Sequence, residues 1–186
     1  MRRTAAALSV ILMVFGSGCA VRPYQSQMLA VSPDQPYAVG SGDRLRIIVF
    51  GQDSLSNSYS VDATGHISMP LIGLVPVNGL STAAIQRAVE ERLRNGFLRE
   101  PRVSCEVEAY RPFFILGEVT TAGQYPYVNG MTVQTAVAIA GGFTPRASQS
   151  YAMMTRVIDG RLVTGQVDMG QPVQPGDTIQ IRERFF

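Results

Sequence analysis

The sequence contains a near-repeat that limits how the chain can fold. Residues 77–81 (VNGLS) recur as residues 128–132 (VNGMT). Each copy is preceded by a glycine-led apolar segment, 65–69 or 123–127, and is followed by small and apolar residues. A strand, a turn and a helix that occur twice in this order indicate a duplicated structural unit. The sequence therefore predicts two small modules in tandem and directs attention to packing and assembly instead of a catalytic cleft.

A second, wider echo brackets the body of the chain. Residues 42–47 (GDRLRI) resemble residues 176–181 (GDTIQI) near the other end. In both copies a Gly-Asp turn leads into alternating apolar residues, which is the pattern of a strand with one buried face. Many short strands and two helical segments predict an α+β fold of two small mixed-sheet modules, each with one helix.

Both predicted helices carry signals at their ends. Ser81 and Thr132 fit the N-cap position, because a hydroxyl oxygen there accepts an otherwise unpaired backbone N–H. Asn95, which is followed by glycine, ends the first helix, and Gly141 and Gly142 end the second. We expect the second helix to be largely buried, either against a sheet or against a neighbouring protomer, because it is apolar nearly all round.

Two further features of the first module concern its strands. Residues 62–65 (DATG) predict a hairpin-type connection into a strand over residues 67–72. Val103, Cys105 and Val107 share one face of a later strand. The preferred interpretation of Cys105 is a buried free thiol that behaves as a small hydrophobic residue.

The N-terminus is typical of a bacterial export signal. Arg2 and Arg3 precede an apolar stretch, residues 5–15, which has the length of a signal-peptide core and is too short to span a membrane. Small residues then lead to Cys19, as in a lipoprotein processing site, although Gly16 stands where leucine is usual.

We therefore predict a signal peptide over residues 1–18, lipidation of Cys19, and a tether over residues 19–36. The alternative is an ordinary secretory signal in which Cys19 is incidental.

The charge balance argues against nucleic-acid binding. The chain has 16 basic and 14 acidic residues, and Arg2 and Arg3 lie in the predicted signal, so the mature chain is near neutral. Binding to phosphates needs a clustered basic surface, which this sequence lacks.

Residues for catalysis are sparse. The single histidine, His66, lies just after a turn and has no nucleophile motif near it, so a structural role is expected. Glu106 and Glu108 could imitate a glycosidase pair, but exposed positions on one strand favour solvation or pairing with arginine. No metal-ligand spacing and no phosphate-binding loop is present in the sequence. We expect no enzymatic activity, no cofactor and no metal.

Several stretches of the chain form one combined pattern, namely residues 37–47, 61–73, 79–82, 114–119, 130–133, 140–144 and 175–179. Together they resemble the bacterial outer-membrane polysaccharide export family. This resemblance implies a polysaccharide-export domain over residues 37–110 and a β-grasp-type soluble-ligand-binding (SLBB) domain over residues 111–186.

The resemblance also implies a function. Family members are lipoproteins on the periplasmic face of the outer membrane, and they form homo-oligomeric rings around a channel for capsular or extracellular polysaccharide. They act as conduits without catalysis and work with an inner-membrane polysaccharide co-polymerase, frequently a tyrosine autokinase. Because no segment after the signal is long and apolar enough to span a membrane, a separate outer-membrane β-barrel is expected as a further partner.

Ring closure requires contacts between different surfaces of neighbouring copies. The candidate protomer-contact residues are Gly117, Glu118, Val119, Gly142 and Phe143. We also expect charge pairs of Arg111 or Arg146 with Glu118, and either core packing or sugar stacking for four aromatic residues. These aromatic residues are Tyr110, Phe113, Tyr125 and Tyr127.

Two other functions compete with the ring. One is a monomeric envelope lipoprotein that binds a soluble ligand or glycan through its SLBB-type domain. The other is a purely structural envelope lipoprotein. The mass in solution separates the ring from the monomer, and loss of surface polysaccharide on deletion excludes the structural role.

Overall fold

A computed structural model describes residue 29 and residues 36–184 of the chain. In this part the chain forms ten strands, two α-helices and one 3-10 turn. The strands of the first module are β1 (Arg44–Val49), β2 (Asn57–Ser60), β3 (His66–Met69), β4 (Gly73–Pro76) and β5 (Val103–Ala109). Those of the second module are β6 (Phe113–Gly117), β7 (Gly123–Tyr125), β8 (Ala152–Ile158), β9 (Arg161–Val167) and β10 (Thr178–Ile181). The helices are α1 (Thr82–Arg94) and α2 (Val133–Ile139), and the 3-10 turn is Asp53–Leu55.

The first module has a three-stranded sheet in the order β2-β1-β5, together with a separate β3-β4 hairpin. All of these pairings are antiparallel. Helix α1 contacts β5 and directs one apolar stripe, Ile85, Val89 and Leu93, into the core. The opposite face of the core comes from alternate residues of β1, such as Leu45 and Ile47, which are fully buried.

The second module has a five-stranded sheet in the order β7-β6-β10-β8-β9. Strands β6 and β10 are parallel, whereas the other neighbours are antiparallel. Two hairpins joined through α2, with the last strand inserted beside the first, give the β-grasp arrangement. The predicted α+β class, with one helix in each module, is therefore confirmed. Among the residues that the structure describes, parallel and antiparallel pairing occur together only in this five-stranded sheet.

The predicted hairpin at residues 62–65 is wrong. Strands β2 and β3, which this turn joins, belong to different sheets. The Asp62 N–H donates to the His66 carbonyl (2.9 Å) and the Asp62 carboxylate accepts the His66 N–H (2.9 Å), so the turn is closed locally, but no ladder between β2 and β3 follows it. The hairpin in this region is β3-β4, and its turn contains Leu71 at a positive φ of 70°.

The repeated VNG segment forms the same turn in both modules. The Leu80 N–H donates to the Val77 carbonyl (3.1 Å), and the Met131 N–H donates to the Val128 carbonyl (3.3 Å). The glycine at the third position has φ of 76° in one copy and 81° in the other, as a type II turn requires. Two residues after this glycine, Ser81 caps α1 and Thr132 caps α2, which confirms the predicted caps.

Across the described residues, neither helix has the length and apolarity needed to cross a bilayer. The predicted signal peptide and Cys19 lie outside the described residues. Leu29 lies within the predicted tether, residues 19–36, but it is part of the folded protein. It is fully buried among the core residues of the second module.

Candidate functional site

The segments at residues 42–47 and 176–181, which resemble each other in sequence, begin with the same turn. The Asp43 N–H donates to the Gly40 carbonyl (3.1 Å), and the Gly40 N–H returns a bond to the Asp43 carboxylate (2.8 Å). Asp177 and Gln174 make the same two bonds, at 3.1 and 2.7 Å. Both carboxylates are buried, with exposed fractions of 0% and 1%. A buried carboxylate needs a positive partner, and each of these has an arginine.

Asp43 is the centre of the junction between the modules. Its carboxylate accepts the Arg111 backbone N–H (2.7 Å) and the Arg111 Nη1 (3.1 Å). The Tyr37 hydroxyl donates to the same carboxylate (2.6 Å), and burial, together with this bond, raises the pKa of Tyr37. Because Arg111 opens the second module, these bonds join the two modules directly.

Aromatic rings extend the junction. The rings of Tyr37 and Tyr110 meet edge to face at 4.9 Å, and those of Tyr110 and Tyr127 do so at 5.3 Å. Phe113 is fully buried, and Tyr125 stacks on it at 6.0 Å. All four aromatic residues considered for core packing or sugar stacking therefore make packing contacts within the protomer.

The second buried aspartate lies inside the second module. Arg156 is 6% exposed and binds the Asp177 carboxylate through Nε (2.9 Å) and Nη2 (2.6 Å). This two-point contact fixes the plane of the guanidinium. Sequence reasoning missed both aspartate–arginine pairs, although the repeated Gly-Asp pair was a visible signal. No comparable sequence signal identified the arginine partners.

The two candidate protomer-contact segments lie side by side. The Thr120 N–H donates to the Gly142 carbonyl (2.9 Å), and the Thr121 N–H donates to the Ala140 carbonyl (2.8 Å). Val119 and Phe143 form a bridge in the same ladder. We call residues 117–121 together with 140–144 the contact strip.

The contact strip has a buried side and an exposed side. Val119 is 5% exposed and half-buried Phe143 packs on the same core, whereas Gly117 is exposed. Glu118 is half-buried, and its carboxylate accepts the Thr144 hydroxyl (2.5 Å). Of the five candidate residues, only Val119 is buried, and Gly117, Glu118, Gly142 and Phe143 therefore remain accessible, at least in part, to a neighbouring copy.

Within the described part of one protomer, no salt bridge joins Glu118 to Arg111 or Arg146, so their pairing with Glu118 of a neighbouring copy stays a prediction. Arg111 pairs with Asp43, and Arg146 forms an exposed pair with Glu183, with the Arg146 Nε at 2.7 Å from the carboxylate. Both arginines therefore satisfy nearer carboxylates.

The residues considered for catalysis have structural contacts. His66 Nδ1 lies 3.0 Å from the Thr64 hydroxyl, and Glu108 pairs with Arg44 at 3.0 Å. Glu106 is exposed, and Cys105 is buried with a free thiol whose pKa burial raises to about 11. In residues 29 and 36–184, no three His, Cys, Asp or Glu residues are grouped so that they could hold a metal ion.

Two protein families match successive parts of the chain. The family described as "Polysaccharide biosynthesis/export protein" matches residues 31–108, and the family described as "SLBB domain" matches residues 112–168. The two matches follow one another along the chain with only a few residues between them.

Three characterised proteins are similar in sequence. The exopolysaccharide production protein ExoF of Rhizobium meliloti (strain 1021) is 33% identical over 118 residues, which are 57% of this chain and 28% of that protein. The EPS I polysaccharide export outer membrane protein EpsA of Ralstonia nicotianae (strain ATCC BAA-1114 / GMI1000) is 29% identical over 168 residues, or 83% and 42%. The polysialic acid transport protein KpsD of Escherichia coli is 24% identical over 116 residues, or 61% and 20%.

The matched regions thus span between 20% and 42% of the length of these relatives. The SLBB match covers residues 112–168 of the second module, whose five strands have the β-grasp arrangement. This chain belongs to the polysaccharide biosynthesis/export family and carries an SLBB domain as its second part.

Proposed function

We propose that this protein is a subunit of a homo-oligomeric periplasmic ring through which capsular or extracellular polysaccharide is exported. The observation that carries this proposal is the succession of an export domain and an SLBB domain along one chain. The names of the three relatives, which refer to exopolysaccharide production, polysaccharide export and polysialic acid transport, support the same cargo.

Ring formation is supported by a geometric argument. Each described module packs around its own apolar core, so a conduit for a polymer requires several copies around a central opening. A closed ring needs two different surfaces on each copy. We assign one of them to the contact strip, with Glu118 and the neighbouring glycines Gly117 and Gly142 at the contact.

The proposed location is the periplasmic face of the outer membrane, with lipidated Cys19 as the anchor. The name of one relative contains the words outer membrane, which is in keeping with this assignment. The proposed partners are the polysaccharide and an inner-membrane co-polymerase that includes a tyrosine autokinase. Nucleic acid is not a partner, because the mature chain is near neutral.

We also propose that the protein acts without catalysis. In support, the described His66, Glu106 and Glu108 lie on strands and have structural surroundings. The His66 ring contacts the Thr64 hydroxyl, Glu108 pairs with Arg44, and Glu106 is exposed. Cys105 does not supply a nucleophile either, because burial holds its thiol in the protonated form at neutral pH.

The test combines export with the mass of the assembly. Deletion of the gene should abolish surface polysaccharide while the envelope stays intact, and the purified lipoprotein in detergent should have the mass of a multimer. Glu118→Arg should lower both the multimer fraction and the export. Glu106→Arg is the matched control, since Glu106 is an exposed glutamate on a strand of the first module. A protein that is monomeric at every concentration would favour the ligand-binding alternative and overturn the ring.

A further inference from the structure

We propose that the second module contains a binding site for the chain's own N-terminal segment, and that Leu29 occupies it. Leu29 is 0% exposed and lies in the same apolar cluster as Phe113, Ile115 and Ile179. It precedes the whole first module in sequence. Its burial in the second module is therefore a long-range docking contact between the N-terminal segment and that module.

The backbone of Leu29 is recognised as well as its side chain. Its carbonyl oxygen accepts a hydrogen bond from Arg156 Nη1 (2.9 Å) and another from Gln171 Nε2 (2.8 Å). A carbonyl that accepts two bonds, one from a charged donor, is held more firmly than one that accepts a single neutral bond. The site therefore binds both the backbone carbonyl and the apolar side chain of Leu29.

Both donors are also held in position by other residues of the second module. Asp177 binds Nε and Nη2 of Arg156, which directs Nη1 toward the Leu29 carbonyl. The Gln171 carbonyl accepts the Val133 N–H at the start of α2, so the backbone of Gln171 is fixed against the helix. Without Leu29, the buried Nη1 of Arg156 would lose its acceptor, and an unpaired buried donor is destabilising. The site is thus built for a peptide carbonyl.

The occupant is the segment of the same protomer. From Leu29 to Tyr37, where the first module begins, an extended chain can span at most about 29 Å. The Tyr37 hydroxyl accepts a hydrogen bond from Arg111 of the second module, so Leu29 and Tyr37 both contact the second module of the same protomer. The same segment from a neighbouring copy would have to reach across a subunit boundary.

The docking site also orients the protein relative to its anchor. An extended chain from Cys19 to Leu29 spans at most about 36 Å. If Cys19 carries the lipid, the second module is held within about that distance of the membrane surface. This consequence rests on the proposed function, whereas the docking site itself does not.

The first experiment uses the full-length mature lipoprotein in detergent and compares Leu29→Asp with Leu162→Asp. Leu162 lies on the same module but is 75% exposed, so it is a matched control. We expect Leu29→Asp to lower the melting temperature and to raise the rate of proteinase K cleavage within residues 19–36 by about tenfold or more, since it removes a fully buried leucine. The control should change neither. Equal behaviour of the two variants would overturn the proposal.

A second variant addresses the carbonyl. Gln171→Leu removes one of its two donors and keeps the size of the side chain, so cleavage within residues 19–36 should rise while far-UV circular dichroism stays unchanged. A photo-crosslinking benzoylphenylalanine at position 29 should form links within one chain. Crosslinked dimers, or an unchanged cleavage rate in Gln171→Leu, would overturn docking within the protomer. These readouts use purified protein, so a failure of ring formation or export leaves them interpretable.

Discussion

At the scale of single residues, Asp43 and Asp177 are buried charges at equivalent turns with different roles. Asp43 holds Arg111 across the module junction, whereas Asp177 holds Arg156 within one core. In each case the carboxylate also accepts a backbone N–H three residues earlier. The turn thus fixes the carboxylate, and the carboxylate then fixes the arginine.

Removing the charge of Asp177 should be strongly destabilising. Asp177→Asn keeps the shape but leaves the Arg156 guanidinium buried without a counter-charge, so we expect a loss of about 3–5 kcal/mol in the free energy of unfolding. Urea denaturation measures it. Glu183→Gln, which removes one half of the exposed pair with Arg146, should cost far less, because water screens that pair. Equal losses would show that burial does not set the contribution of Asp177.

Replacing both members of the buried pair separates pairing from burial. In Arg156→Met combined with Asp177→Leu, no uncompensated charge remains, so the loss should be smaller than in Asp177→Asn alone. The backbone N–H of Gln174 loses its acceptor in this variant, which leaves a residual cost.

Cys105 should make stability fall at alkaline pH. Burial raises the pKa of its thiol to about 11 in the folded protein, above the value of 9.0 for the free group. The folded state therefore binds the proton more tightly, and this contribution is present below pH 9 and is lost as the pH rises toward 11. Between about pH 7.5 and about pH 9.5 we expect it to remove about 1 kcal/mol.

The comparison for this prediction is Cys105→Ala, measured by urea denaturation at both pH values in a Cys19→Ser background. The variant should lack that part of the alkaline loss. In the same background, Ellman's reagent should label Cys105 slowly at about pH 8 until urea unfolds the chain. Rapid labelling of the folded protein would contradict a buried, protonated thiol.

At the scale of elements, the contact strip depends on a close backbone contact at Gly117. A Cβ at this position would lie 2.0 Å from the Ile181 carbonyl oxygen, and φ is 91°. Gly142, on the other side of the strip, has a φ of 88°, but a Cβ there would meet nothing within 4 Å. The two glycines share the backbone conformation but differ in the space around them.

Gly117→Ala and Gly142→Ala should therefore differ in stability. Gly142→Ala adds only left-handed strain, about 1–2 kcal/mol, whereas Gly117→Ala adds the clash and must separate β6 from β10 at this end. We expect Gly117→Ala to lower the melting temperature further. Equal shifts would show that the contact with Ile181 relaxes without cost.

At the scale of the whole molecule, the junction around Asp43 determines whether the modules unfold together. Arg111→Met removes the Arg111 bonds to the Asp43 carboxylate and the Tyr37 hydroxyl, while the backbone N–H of residue 111 stays. We expect a loss of about 2 kcal/mol, reduced from a fully buried pair because the arginine side chain is 30% exposed.

The expected signature is the separation of one calorimetric transition into two, since few other polar contacts join the described parts of the modules. Arg44→Met is the control, because its pair with Glu108 lies on the surface of one module. A single transition in Arg111→Met, coincident with that of the control, would show that the aromatic contacts alone couple the modules.

Local features of the fold were predictable from the sequence. The turn before each helix requires glycine at a positive φ, and Ser81 and Thr132 supply the capping oxygen. The alternation around Cys105 placed it correctly on a buried strand face. Each of these features depends on neighbours within a few residues, so a single short stretch of sequence contains the whole physical cause.

Pairings between distant segments were not predictable in this way. Only the tertiary structure shows that β2 and β3 belong to different sheets and that β10 lies between β6 and β8. It also shows that Arg111 pairs with Asp43, that Arg156 pairs with Asp177, and that Leu29 is buried in the second module. Periodicity shows that a strand has a buried face or that a charge is available, but it does not identify the partner. The partner is selected by the requirement that every buried charge, carbonyl and apolar face be satisfied at once, and only the tertiary structure imposes that condition.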